Sequence, residues 1–134
     1  MLDHLTLCVT GGRNYNDRVI VFDTLDQLTF EYFGNNCQSD QVTLIVGGAK
    51  GADSLAELWA RTNGYNVRLF TADWNKYGKM AGILRNLDMI DAGFDFLVSF
   101  PGGRGTAHMT DTSVKENFTV YKVNEDGTHG KISE

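Results

Sequence analysis

Cysteine, proline and long hydrophobic runs are all scarce in this sequence of 134 residues, which contains two cysteines and one proline. Cys8 and Cys37 lie far apart and show no metal-ligand spacing, which favours a reducing compartment. No run approaches the roughly 20 apolar residues that are needed to cross a bilayer. The N-terminus also lacks the basic and apolar regions of a signal peptide. We therefore predict a cytoplasmic protein with no membrane partner, no metal site and no required cofactor.

Positive charge is scarce as well, since 12 lysines and arginines face 17 aspartates and glutamates, for a net charge of −5. This balance argues against a broad electrostatic contact with nucleic acid. It remains compatible with a small phosphorylated ligand, because a few backbone N–H groups and one or two arginines can bind phosphate within an acidic protein. The length and the 42% hydrophobic content are those of one domain with a packed core.

Apolar runs that alternate with helical patterns give the fold class. Five runs predict strands, at residues 5–10, 42–46, 67–70, 94–100 and 119–123. Helices are predicted between them, at residues 17–33, 52–63, 79–92 and 106–116. This alternation predicts an α/β fold, a doubly wound, mainly parallel five-stranded Rossmann-like sheet with helices on both faces. The domain spans residues 1–123, and residues 124–134 form a polar C-terminal tail that either frays or makes a small hairpin.

The spacing of apolar residues also predicts which side of each helix faces the core. The predicted inward residues are Val21, Leu25, Leu28 and Tyr32 in the first helix, Leu55, Leu58, Trp59 and Thr62 in the second, and Ile83, Leu87 and Ile90 in the third.

Glycine, in contrast to proline, is abundant, with 15 residues. Three loops that follow predicted strands hold many of them, and their candidate ligand-binding residues are Gly11, Gly12 and Arg13, then Gly47, Gly48, Lys50 and Gly51, then Gly102, Gly103, Arg104, Gly105 and Thr106. Such loops let a ligand approach backbone N–H groups, and a helix N-terminus favours an anion. The alternative is that the glycines only make tight turns. The loops match neither the P-loop nor the G-x-G-x-x-G pattern.

Three polar residues outside these loops each allow two interpretations, and Asn86 is a further candidate ligand-binding residue. Asp53 either complements the dipole of its helix or accepts hydrogen bonds from a ribose. Arg85, which stands beside Asn86 in an apolar helix, either forms a surface salt bridge or reaches back towards the glycine loops. His108 is either an acid or base or a structural histidine.

Aromatic residues supply a further candidate group. Trp74 and Tyr77 either stack on a base or cover the core. The neighbouring Asp73 is ambiguous between a binding and a structural role.

These residues, taken together, resemble a known family. The matching positions are Val9 to Arg13, Gly47 to Asp53, Ala72 to Trp74, Gly78, Ala81 and Gly82, Arg85 and Asn86, Met89, and Phe100 to Ala107. From about residue 5 to residue 123 the chain resembles the YspA-type branch of the SLOG superfamily, a set of Rossmann-like domains that includes the LOG phosphoribohydrolases and DprA-like proteins. The resemblance implies a SLOG-like domain that binds a nucleotide or a nucleotide derivative.

The resemblance leaves open whether the ligand is turned over. LOG enzymes carry the signature P-G-G-x-G-T-x-x-E and an upstream arginine, which Arg85 matches. Met109 occupies the glutamate position here, so the carboxylate that would assist N-glycosidic hydrolysis is absent. Asp53 and His108 are the candidates to replace it, and together with Arg85 they are the three candidate catalytic residues.

The leading hypothesis is therefore a binding protein, a sensor, carrier or sequestering protein for a nucleoside monophosphate or an ADP-ribose-like molecule. The third glycine loop would hold phosphate, with Arg13, Arg85 and Arg104 as cationic partners, and Asp53 would hold a ribose hydroxyl. The first two loops would let the ligand approach. The alternatives are a LOG-like hydrolase that releases a base and, disfavoured by the acidic charge, a protein that binds single-stranded DNA. Related domains pair through helices, which implies a homodimer or larger homo-oligomer, with the apolar residues at 83–90 as one candidate surface.

Overall fold

The computed structural model of the protein describes residues 3–132. Residues 1–2 of the predicted domain and residues 133–134 of the predicted tail lie outside this range. The strands are β1 (Leu5–Thr10), β2 (Val42–Val46), β3 (Asn66–Leu69), β4 (Phe96–Ser99), β5 (Thr119–Val123) and β6 (His129–Lys131). The helices are α1 (Arg18–Phe33), α2 (Ala52–Thr62), α3 (Trp74–Tyr77), α4 (Ala81–Ala92) and α5 (Arg104–Lys115), with short 3₁₀ turns at Gly34–Asn36, Ser39–Gln41 and Gly78–Met80.

One six-stranded sheet forms the centre of the molecule, in the order β3-β2-β1-β4-β5-β6. The first five strands are parallel, and β6 runs antiparallel to β5. The Rossmann-like α/β prediction is confirmed, but the predicted number of five strands is wrong. Residues 124–128 turn the chain so that the backbone N–H of Asn124 donates to the carbonyl of Thr128 at 2.8 Å. The tail thus forms the hairpin that was one of its two predicted states.

Helices cover both faces of the sheet, as the nearly complete burial of β1, β2 and β4 requires. On one face, Leu7 and Val9 of β1 belong to the same buried cluster as Leu25 of α1 and Trp59 of α2. On the other face, the intervening Cys8 joins a smaller buried cluster with residues of α4 and α5. The alternation of side chains along β1 therefore serves two separate halves of the core.

The predicted inward face of α2 is only partly correct. Trp59 is fully buried, and its indole N–H donates to the carboxylate of Asp26 at 2.8 Å. Leu58, however, is 44% exposed, and small residues such as Ala56 and Ala60 take the inward positions instead. Alanines allow α2 to approach the sheet and α1 closely, while Trp59 fills the remaining volume.

The predicted inward face of α4 is also wrong in part. Leu87 is 43% exposed, Ile83 and Ile90 are only partly buried, and Asn86 is buried with Met89. An amide is stable in this position because three hydrogen-bonding groups surround it, as described below. The helix itself begins at Ala81, after the 3₁₀ turn, and the predicted loop before it contains the single helical turn α3.

The order of the strands leaves a crevice above β1 and β4. The chain leaves β1 towards β2 on one side, whereas β4, the other neighbour of β1, leads to β5 on the opposite side. The loops that follow β1 and β4 therefore diverge, and ligands of doubly wound sheets collect at this point. No helix among residues 3–132 combines the length and the apolar character that crossing a membrane requires.

Candidate functional site

A cleft of about 600 Å³ lies at this crevice. Its lining comes from the end of β1, from the loops after β1, β2 and β4, from the first turn of α2, from α3, the following 3₁₀ turn and α4, and from the first turns of α5. The lining residues are Thr10, Gly11, Gly12, Arg13, Ala49, Asp53, Trp74, Lys79, Gly82, Ile83, Arg85, Asn86, Gly103, Arg104, Gly105, Thr106 and His108.

Backbone hydrogen bonds hold the three glycine loops together. The N–H of Gly12 donates to the carbonyl of Pro101 at 2.8 Å, and the carbonyl of Gly12 accepts from the N–H of Ala52 at 3.1 Å. Gly51 makes this contact feasible, because its φ is +78° and a Cβ there would collide with the carbonyl oxygen of Gly12. For Gly51 the tight-turn interpretation is therefore sufficient.

In the loop that precedes α5, no close backbone contact requires Gly103 or Gly105. Gly103 is the N-cap of α5, with no side chain that caps the helix, and Gly105 lies in the first turn. A Cβ at either position would meet nothing within 4 Å, and neither residue has a positive φ. The glycines here leave open space in front of the free N–H groups at the start of a twelve-residue helix, an arrangement that favours an anion.

Arg85 reaches from α4 to the second glycine loop and, within residues 3–132, does not form the alternative surface salt bridge. Its Nη1 donates to the carbonyl of Gly47 at 2.9 Å, and its Nε donates to Oδ1 of Asn86 at 3.1 Å. A Cβ at Gly47 would collide with Nη1 of Arg85 and would lie 3.0 Å from Oδ2 of Asp53. Gly47 therefore allows a cation and a carboxylate to approach the same backbone segment.

Asp53 lies at the base of the cleft and is only 6% exposed. Its Oδ2 accepts a hydrogen bond from the N–H of Ala49 at 3.2 Å. Burial raises the pKa of Asp53 to about 6, although the bond from Ala49 and the charge of Arg85 act in the opposite direction. A carboxyl group that changes charge near neutral pH inside a cleft is a feature of functional sites.

Asn86 is 3% exposed and connects three parts of the cleft. Its Oδ1 accepts from Arg85, while its Nδ2 donates to the carbonyl of Gly105 at 3.2 Å and lies 3.1 Å from Nδ1 of His108. The amide of Asn86 thus links α4 to the first turns of α5 and to the ring of His108.

Trp74 forms the outer wall of the cleft and is 48% exposed. The guanidinium of Arg13 lies 5.4 Å from the centre of its ring. Gly82 of α4 lies beneath this ring, where an added Cβ would come within 3.3 Å of it. The exposed indole and the neighbouring cation form a surface on which a planar group can stack.

Several residues that were predicted to belong to the site do not line the cleft. Gly47, Gly48, Lys50 and Gly51 lie outside the lining of the cleft, and Gly102 lines a neighbouring depression of about 350 Å³. Asp73 has a structural role, since its carboxylate accepts from the N–H of Lys76 at 3.1 Å and caps α3. Tyr77 is exposed and does not line the cleft, and Met109 is fully buried in the core.

Sequence reasoning missed five of the lining residues, Thr10, Ala49, Lys79, Gly82 and Ile83. Gly82 gave a usable signal, because a glycine inside a helix frequently marks close approach of another group. Lys79 is a cation close to Gly78, whose φ is +55°. Thr10, Ala49 and Ile83 carry no such signal. Among residues 3–132, no group of three or more histidines, cysteines or acidic residues is arranged to hold a metal ion.

Comparisons with known proteins agree with this architecture. The model of the YspA, cpYpsA-related SLOG family matches residues 6–77, which extend from β1 through α3 and include Arg13, Asp53 and Trp74. The Gene 61 protein of Mycobacterium phage D29 is 40% identical over 120 residues, an alignment that covers 84% of this chain and 90% of the phage protein. The chain therefore belongs to the YspA, cpYpsA-related SLOG family, a membership that indicates a nucleotide-related function.

Proposed function

We propose that the cleft binds a phosphorylated nucleotide or nucleotide derivative, such as a nucleoside monophosphate or an ADP-ribose-like molecule, and that the protein acts as a sensor, carrier or sequestering protein. The observation that carries this proposal is the uncapped start of α5, which opens into a cleft that also contains cations. Gly103 and Gly105 leave its N–H groups accessible, and Arg13, Arg85 and Lys79 line the same cleft. Phosphate is one of the anions that helix N-termini and arginines bind.

The rest of the cleft provides groups for the other parts of a nucleotide. Asp53 supplies a buried carboxylate, the group that binds ribose hydroxyls in many dinucleotide-binding sheets. Trp74 supplies a half-exposed indole for a base, beside Arg13. A volume of about 600 Å³ falls within the range of sites for small molecules and cofactors.

Calorimetric titration with AMP and with ADP-ribose tests the proposal. We expect at least one of them to bind and Arg85→Ala to weaken that binding by tenfold or more, about the contribution of one charged hydrogen bond. Arg61→Ala is the matched control, because Arg61 pairs with Glu57 on the surface of α2 at 2.8 Å and does not line the cleft. If neither compound binds, or if both variants weaken binding equally, the proposal is wrong.

A hydrolase that releases a base from a nucleoside monophosphate is the second candidate, and one observation favours it. The Asp53 carboxyl, with a pKa of about 6, is suited to transfer a proton near neutral pH. Residue 109, in contrast, is a methionine buried in the core, so it supplies no carboxylate for hydrolysis. Incubation with nucleoside monophosphates, followed by chromatography for free base, separates the candidates. Turnover that disappears in Asp53→Asn would establish the hydrolase and would exclude a protein that only binds its ligand.

A further inference from the structure

The amide orientation of Asn86 is fixed by two partners that each have a single hydrogen-bonding role. Arg85 Nε can only donate, so the Asn86 atom 3.1 Å from it is the acceptor Oδ1. The carbonyl of Gly105 can only accept, so the atom 3.2 Å from it is the donor Nδ2. In the reversed orientation, the amide nitrogen of Asn86 would face the donor Nε of Arg85, and its oxygen would face the carbonyl oxygen of Gly105, so both contacts would be unfavourable. The orientation therefore follows from the chemistry of the neighbours.

This orientation determines where His108 carries its proton. Nδ2 of Asn86 lies 3.1 Å from Nδ1 of His108, and an amide nitrogen can only donate. Nδ1 must then accept, and the single proton of the neutral imidazole is on Nε2. We propose that Asn86 is a positioning residue that holds His108 as the Nε2-protonated tautomer, so that the cleft presents His108 to its ligand as a hydrogen-bond donor.

The proposal specifies the chemistry of the ligand group that His108 meets, and in this respect it rests on the proposed function. His108 is half buried, lines the cleft and has Nδ1 committed to Asn86, which leaves Nε2–H as the polar atom of the ring for a ligand. That N–H requires an acceptor, such as a phosphate oxygen or an acceptor atom of a base. The same amide holds Nε of Arg85, so one buried side chain orients two donors.

The fixed tautomer also limits which of the three candidate catalytic residues, Arg85, Asp53 and His108, can accept a proton. While its bond to Asn86 persists, His108 has no free lone pair and cannot accept a proton. Arg85 is always protonated. Of these three residues, Asp53 is therefore the one that can act as a base.

Histidine ¹⁵N NMR tests the tautomer directly. The chain has three histidines, His4, His108 and His129, so the spectrum of His108→Gln assigns the signals of the ring. At about pH 8, where an ordinary imidazole is neutral, we expect His108 of the wild-type protein to show a protonated Nε2 and an unprotonated Nδ1.

The decisive variant is Asn86→Asp. A carboxylate can only accept, so Nδ1 of His108 must become the donor, and we expect its proton to appear on Nδ1. Asn63→Asp is the matched control. It makes the same substitution at the end of α2, where the Asn63 amide donates to the carbonyl of Trp59 at 2.8 Å, and should leave the His108 signals unchanged.

Two results would overturn the proposal. One is a wild-type His108 with its proton on Nδ1, and the other is an Asn86→Asp variant whose His108 keeps the Nε2 proton. If Asn86→Asp does not fold, Asn86→Ala replaces it and is expected to show a mixture of both tautomers. A single unchanged tautomer in that variant would contradict the role of Asn86.

AMP titration of the same samples tests the ligand part. We expect Asn86→Asp to weaken AMP binding by about tenfold or more, because Nε2 of His108 then becomes an acceptor and no longer donates to the ligand. Because the tautomer measurement needs no ligand, its result is independent of the proposed function. If only ADP-ribose binds the wild-type protein, the same titration is made with ADP-ribose. Failure of both compounds to bind would count against the proposed function alone, whereas unchanged affinity in Asn86→Asp would refute His108 as a donor to the ligand.

Discussion

Replacing Asp53 with asparagine should make the protein more stable, and by an amount that depends on pH. Burial raises the pKa of Asp53 from 3.8 to about 6 in the folded protein. The folded state thus holds this proton more tightly than the unfolded state does. Ionisation of Asp53 therefore destabilises the fold, with no effect well below pH 3.8, an increasing effect as the pH rises towards 6, and the full effect above pH 6.

The magnitude follows from the pKa difference. At about 1.36 kcal/mol per pKa unit, a rise from 3.8 to about 6 corresponds to about 3 kcal/mol at pH 8. At pH 5 the same two values give about half of that, because the folded protein is then mostly protonated at this site. Asparagine resembles the protonated acid, and its Oδ1 can still accept from Ala49. We therefore expect Asp53→Asn to raise the free energy of unfolding by up to about 3 kcal/mol at pH 8 and by about half as much at pH 5.

Urea denaturation at both pH values measures this difference, with the wild-type protein and Asp23→Asn as references. Asp23 is an exposed residue of α1, so its substitution should change the free energy of unfolding by less than about 0.5 kcal/mol. A variant Asp53→Asn that is no more stable than the wild type at pH 8, or whose advantage is equal at the two pH values, would refute the reasoning. A confirmed gain would mean that the ionised carboxyl is maintained at the expense of stability, which is typical of functional residues.

Three further substitutions test the remaining features of the cleft. Gly51→Ala should destabilise the protein by about 2 kcal/mol or more in urea denaturation, since φ is +78° and the new Cβ would meet the carbonyl of Gly12. Gly103→Ala should cost no more than about 1 kcal/mol, because the added Cβ meets nothing and only the N-cap of α5 is weakened. The same change should weaken AMP binding in calorimetry, and equal destabilisation of the two glycine variants would contradict the separate roles of these glycines. Trp74→Ala should weaken AMP binding by about tenfold or more, the contribution of one stacked base, while affinity for inorganic phosphate stays unchanged; an equal loss for both ligands would exclude stacking.

The sequence was most informative where strong local signals coincide with tertiary structure. Continuous apolar runs predicted β1, β2 and β4 because both faces of these strands are buried. In β6 the sequence His-Gly-Lys has no hydrophobic periodicity, and the strand exists because its backbone pairs with β5. Local propensity cannot reveal a strand of this kind.

Helix faces were harder to predict because packing distance, rather than hydrophobicity alone, decides them. Ala56 is buried and Leu58 exposed, since α2 approaches the sheet too closely for a leucine on that side. Asn86 is buried in α4 because Arg85, Gly105 and His108 surround its amide. These partners are up to 22 residues away in the sequence, so no periodicity could indicate them.

The hairpin formed by β5 and β6 also affects how copies of the protein can associate. With β6 in place, the sheet has β3 at one edge and β6 at the other, strands of only four and three residues. Each edge carries a basic residue, Arg68 or Lys131. Short, charged edge strands resist the addition of another strand and so protect against aggregation. We therefore expect any self-association of this protein to use exposed helical residues such as Leu87, rather than extension of the sheet from one copy to the next.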